Sequence, residues 1–143
     1  MKRRKGTHPE DENLLTIQRL QAKAPLHVLV ADNEPAIRRI ISVYLKEIDF
    51  TSTMVVNGLE LIEAVKRSSP DIILTEAELP EENGLTAISA VREIHSASGL
   101  RIPIVVMSST QERAVCLEAD ADEYLRKPIL ADRLFETFDR ILS

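Results

Sequence analysis

A chain of 143 residues with 44% hydrophobic and 29% charged side chains has material for one core and is short for two. No apolar run approaches the ~20 residues of a membrane span, and none follows the opening Met1-Lys2-Arg3-Arg4-Lys5, so neither a spanning helix nor a secretory signal is expected. The net charge of −5 is uneven: residues 1–25 hold six Lys/Arg against three acids, leaving −8 for the rest, an acidic body that repels nucleic acid.

Residues 1–9 are expected to be disordered, with Lys2 to Lys5 as a solvated basic tail. Glu10 to Ala24 can form a helix in which Leu14, Ile17 and Leu20 or Gln21 share a narrow stripe, so it needs a partner to be stable. Pro25 punctuates the chain and the compact domain, 26–143, begins near Leu26, with 1–25 as an extension. Leu26 to Ala31 is a nearly continuous apolar run, as expected of a strand buried on both faces. Asp32 or Asn33 can cap a following helix with Pro35 in its first turn and Ile37, Ile40, Ile41, Tyr44, Leu45 and Ile48 at helical spacing. Thr51 to Val56 reads as a strand, Gly58 to Arg67 as a helix, and Asp71 to Thr75 as a third strand. Leu85 to His95 follows as a helix with Ile88, Val91 and Ile94 on one face. Ile102 to Met107 is a fourth strand, with Pro103 near its start where a missing donor is tolerated. A short helix over Thr110 to Ala119, a fifth strand over Glu123 to Arg126 and a helix over Ala131 to Leu142 complete the pattern. Five strands alternating with five helices imply an α/β fold: a doubly wound five-stranded parallel sheet with right-handed crossovers and helices on both faces. The single cysteine, Cys116, allows no internal disulfide, suits a reducing cytoplasm and reads as a small buried hydrophobe.

In such a sheet ligands bind beyond the carboxyl ends of the strands, where the strand order reverses. That rule selects Asp32, Asn33 and Glu34, then Glu76 to Glu78, then Ser108 and Ser109, and finally Lys127. Carboxylates, hydroxyls and one ammonium at a single edge suit a divalent cation with a phosphate beside the lysine. Polar residues clustering where strands leave the core account for the same set equally well. His8, His27 and His95 share no metal-ligand spacing.

The stretch Pro70-Asp71-Ile72-Ile73-Leu74-Thr75-Glu76-Ala77-Glu78-Leu79-Pro80-Glu81-Glu82-Asn83-Gly84 resembles the third strand and loop of a response-regulator receiver domain, the CheY-like family. Val28-Leu29-Val30-Ala31-Asp32-Asn33-Glu34-Pro35 is similar to its first motif, Met107-Ser108-Ser109 to its hydroxyl position, and Ala121 to Pro128 to its fifth-strand motif. The matches are individually weak and jointly specific, and they span about residues 26–143. The resemblance implies a flavodoxin-like fold and two-component signalling. It places Glu76 at the aspartate that takes a phosphoryl group from a sensor histidine kinase. It makes Asp32, Asn33, Glu76 and the Glu78 backbone carbonyl the Mg²⁺ ligands, and Ser108, Tyr124 and Lys127 the switch and phosphate-contact positions. It also implies a cis Lys127-Pro128 bond.

Departures from the family pattern carry the functional expectation. Asn33 stands where the family has a second acid, and a neutral amide oxygen holds a hard dication less well than a carboxylate. Glu76 pushes its carboxylate out by ~1.5 Å, one C–C bond, and misplacement on that scale costs phosphoryl transfer about two orders of magnitude. Glu76 could also act as a partial mimic of the phosphorylated acid, reaching toward Lys127 or Ser108. Between Ser108 and Leu117 the chain is about three residues shorter than the resemblance implies, so the helix there should be a turn shorter or displaced, with a remodelled partner face or a harmless deletion.

The expectation is an atypical receiver, or pseudoreceiver: a non-enzymatic cytoplasmic module working by protein–protein contact with a weak or lost Mg²⁺ site. Its partner would be a sensor histidine kinase or a downstream signalling protein, not nucleic acid or a membrane. Residues 10–24 offer a homodimer contact or a cover for the surface. The alternatives are a receiver that still accepts phosphate from a histidine kinase with Mg²⁺, and a normal receiver carrying an introduced Asp-to-Glu change. An enzyme on the same fold lacks support, since no Gly-rich phosphate loop or nucleophile–base pair is present. With the chain ending at Ser143, the protein would be a stand-alone receiver or a piece of a larger regulator.

Overall fold

Alternate residues of each buried strand enter opposite cores. The computed structural model describes residues 9–143, so the expectations for the basic tail and His8 fall outside the described residues. The elements run α1 (Pro9–Gln21), β1 (His27–Ala31), α2 (Pro35–Glu47), β2 (Thr51–Val55), α3 (Gly58–Arg67) and β3 (Ile72–Glu76). They continue as α4 (Gly84–Ser96), β4 (Ile104–Ser108), α5 (Arg113–Glu118), β5 (Glu123–Arg126) and α6 (Ala131–Ile141). The five strands form one parallel sheet in the order β2-β1-β3-β4-β5, so the expected flavodoxin-like architecture is the one observed. Leu29, Ala31, Ile73, Ile104 and Val106 pack with residues of α3, α4 and α5. Val28, Val30, Ile72, Leu74, Val105 and Met107 pack with α1, α2 and α6. This period of two, with both faces covered, is why the strands read as unbroken apolar runs.

The α1 helix finds its partner in α6. Leu20 is fully buried in the second core, and Arg19 forms an ion pair with Asp139 at 2.8 Å. Of the expected stripe, Ile17 and Leu20 pack in the second core, while Leu14 is 52% exposed and Thr16 is buried instead. Ile40 of α2 is likewise outward, at 42% exposure.

Boundaries of α2, β3, β4 and α5 differ from expectation. The N-cap of α2 is Glu34, without a side-chain cap, because the Asp32 Oδ1 accepts the Glu34 N–H at 2.9 Å instead of capping further along. The fourth strand begins at Ile104 rather than Ile102, and the third runs one residue later than expected, to Glu76, while Asp71 leaves it to accept the His27 N–H at 2.7 Å. The α5 helix starts at Arg113 rather than Thr110, since the Thr110 and Gln111 N–H groups turn back to the Ser108 Oγ. It spans six residues, Arg113–Glu118, and is shorter than the expected Thr110 to Ala119.

Candidate functional site at the carboxyl edge of the sheet

The strand order reverses between β1 and β3, and the chain leaves those strands at Asp32 and Glu76. Register places Ala31 beside Thr75, Glu76 beside Met107, and Ser108 beside Arg126. Four adjacent strands thus deliver Asp32, Glu76, Ser108 and Lys127 to one edge without any loop having to reach across. Gly84 lets the next segment close in: a Cβ there would lie 2.0 Å from the Glu76 carbonyl oxygen. Gly58 plays the same part under the loop, where a Cβ would lie 1.9 Å from the Glu82 carbonyl oxygen.

Lys127 is the centre of the charge arrangement. Its Nζ lies 2.8 Å from Asp32 Oδ2 and 3.4 Å from Glu34 Oε1, and it contacts Glu76 Oε2 directly. Asp32 is fully buried and Glu76 is 7% exposed. Burial pushes the Glu76 carboxyl above its ordinary 4.5, opposed by Lys127 and by the Glu78 N–H, which donates to Oε1 at 3.4 Å. Burial would lower Lys127, but the contacts with Asp32 and Glu76 outweigh it and raise the ammonium above its ordinary 10.5. Asp32 Oδ2 and Glu76 Oε2 both meet that ammonium as ion pairs within hydrogen-bond reach. Arg38 donates to the Asp32 backbone carbonyl at 2.6 Å. Asn33, by contrast, is exposed.

The hydroxyl side of the edge is organised separately. Ser108 is fully buried and its Oγ accepts the N–H groups of Thr110 at 3.1 Å and Gln111 at 2.9 Å. The Tyr124 hydroxyl donates to the Gln111 carbonyl at 2.9 Å and, more weakly, to that of Ser108 at 3.4 Å. The Glu78 side chain accepts from Thr110 Oγ1 at 2.7 Å and Gln111 Nε2 at 2.9 Å. Sequence reasoning expected only a backbone role for Glu78 and missed Thr110 and Gln111, which read as the first turn of a helix. The Lys127-Pro128 bond is cis, as the resemblance implied.

Two buried carboxylates at one edge suit a hard cation by charge and donor type. Among the described residues, however, no three His, Cys, Asp or Glu are disposed to hold a metal ion, and Lys127 already sits against both acids. The histidines lie apart from this edge. His27 bridges Thr51 and Thr53 through its two ring nitrogens at 2.7 Å each, and His95 is buried in α4. Cys116 is buried, and burial with nearby Glu76 pushes its thiol up, away from reactivity.

Residues 28–139 match the family model described as "Response regulator receiver domain". The chain is 32% identical over 124 residues to "Hybrid signal transduction protein dokA" of Dictyostelium discoideum, covering 87% of this chain and 7% of dokA. It is 33% identical over 105 residues to "TorCAD operon transcriptional regulatory protein TorR" of Escherichia coli K12, covering 73% of this chain and 45% of TorR. The chain therefore spans less than half the length of these relatives. Its fold matches, with a TM-score of 0.74 and 24% identity, the receiver domain of a sensor histidine kinase from Pseudomonas aeruginosa PAO1, solved "with magnesium ion coordinated in the active site cleft". That match covers 82% of this chain and 97% of the solved one.

Proposed function

Because the chain belongs to the response regulator receiver domain family, we propose that it is a two-component signalling module whose acceptor position, Glu76, is occupied by a carboxylate that Lys127 holds in place. It works in the cytoplasm by protein–protein contact, without normal aspartyl phosphorylation. The observation that carries this reading is the contact between the buried Glu76 carboxylate and Lys127, with Asp32 on the same ammonium. An arriving phosphoryl group needs that lysine and must meet a nucleophile displaced by ~1.5 Å. One carboxylate in place of a phosphoryl dianion makes Glu76 a partial mimic. Its contact is with Lys127, while the Ser108 Oγ accepts the Thr110 and Gln111 N–H groups.

Mg²⁺ would be held weakly by Asp32, Glu76, the Asn33 amide oxygen and the Glu78 carbonyl; bound there, it would neutralise charge on a phosphoryl group. The protein partner is a histidine kinase, a phosphotransfer protein or a downstream signalling protein. A second reading, a receiver that still takes phosphate, is favoured by the buried carboxylates of Asp32 and Glu76 meeting Lys127 at one edge.

Intact-mass spectrometry after incubation with Mg²⁺ and acetyl phosphate separates the two. The expected result is no adduct on the wild type and a phosphoryl adduct on Glu76→Asp. An adduct on the wild type overturns the proposal in favour of the second reading.

A further inference from the structure

The loop between β4 and α5 is held from outside its own helix. Glu112 caps α5 without a side-chain hydrogen bond, so helix geometry does not position Thr110 and Gln111. Ser108 Oγ holds their N–H groups, and Glu78, from the loop after β3, holds their side chains, through Thr110 Oγ1 at 2.7 Å and Gln111 Nε2 at 2.9 Å. The Gln111 carbonyl then accepts the Tyr124 hydroxyl at 2.9 Å. Tyr124 is half-buried and packs against the core that includes Cys116 and Ala121. A continuous chain of hydrogen bonds therefore runs from a carboxylate beside Glu76 to an aromatic side chain on β5. The two donors also hold the Glu78 carboxyl below its ordinary 4.5, so it stays an acceptor near neutrality.

We propose that Glu78 is a positioning residue: its side chain latches the β4–α5 loop and, through Gln111, fixes Tyr124, linking the acidic edge to the α5–β5 surface. Side-chain length and charge both matter. Both donors share one oxygen, Oε1, so a glutamine keeps the reach and the acceptor but loses the charge that strengthens both bonds, and an alanine offers neither. The inference does not depend on whether Glu76 accepts a phosphoryl group.

The test uses the full chain labelled with 3-fluorotyrosine, which carries two tyrosines, Tyr44 and Tyr124. In Glu78→Ala the Tyr124 fluorine resonance is expected to move while that of Tyr44 stays. Hydrogen-exchange protection of the Thr110 and Gln111 amides should fall about tenfold. The urea midpoint should hold, because Glu78 is exposed, and Glu78→Gln should recover part of both signals. An unmoved Tyr124 resonance with intact Gln111 protection overturns the latch. So does a loss of protection spread evenly over the molecule with a lowered urea midpoint, which would mark a general folding defect.

Discussion

Lys127 decides how much of the acidic edge can stay buried. Its side chain is 9% exposed and faces Asp32 and Glu76, exposed at 0% and 9% at their side chains. Desolvating several charges is costly, and removing one partner leaves the others uncompensated. Lys127→Met is therefore expected to lose about 3–5 kcal/mol at pH 7, read from urea unfolding, and adding Glu76→Leu should restore part of it. A loss near zero would mean that the acids simply take up protons. Glu76 also shows where sequence reasoning ran out. Its departure from the family pattern was legible, as was the lysine, but the partner it would choose between Lys127 and Ser108 was not. That choice depends on where the folded chain places the Lys127 ammonium, which meets Glu76 Oε2 directly.

Among the elements, α1 tests how far a helical extension belongs to the domain it precedes. Leu20 is fully buried against residues of α2 and α6, whereas the Arg19–Asp139 pair is exposed, at 55% for the arginine side chain. Leu20→Ala should cost about 2–5 kcal/mol and Arg19→Ala at most about 1 kcal/mol, both measured as shifts of the urea midpoint. The helix itself was legible from its composition. Its orientation was legible for Ile17 and Leu20, which pack in the second core, and not for Leu14, which is 52% exposed. The same limit applies to α5: the turn from Ser108 was hidden in residues that suit a helix start, and only the distant Glu78 carboxylate reveals what they bond.

For the molecule as a whole, a parallel sheet covered on both faces and a polar carboxyl edge followed from alternation, while the flavodoxin-like architecture came from the family resemblance. Its pH profile follows from groups on opposite sides of that sheet. Burial, with Arg92 nearby, holds His95 below its ordinary 6.5, and both of its ring nitrogens lack partners. The folded state then binds fewer protons than the unfolded one, so stability falls as pH drops below about 6.5. Asp122 adds to this further down. Burial would raise it, but the Ile104 N–H, Arg101 and Arg92 hold it below 3.8, so its contribution is lost as pH falls through that lowered value. Glu76, raised, works the other way: its cost appears as pH rises past 4.5. Lys127, raised, contributes fully below 10.5 and is lost as pH climbs through its folded value. Urea midpoints between pH 4 and 11 should thus trace a dome, and His95→Leu should flatten the limb below about 6.5. The raised, enclosed ammonium has a further consequence for covalent chemistry. Acylating reagents attack the free amine, and the other described lysines, Lys23, Lys46 and Lys66, stand exposed. Lys127 is the silent amine among them, reacting only in molecules whose carboxyl edge has come apart, so its slow modification clocks that opening.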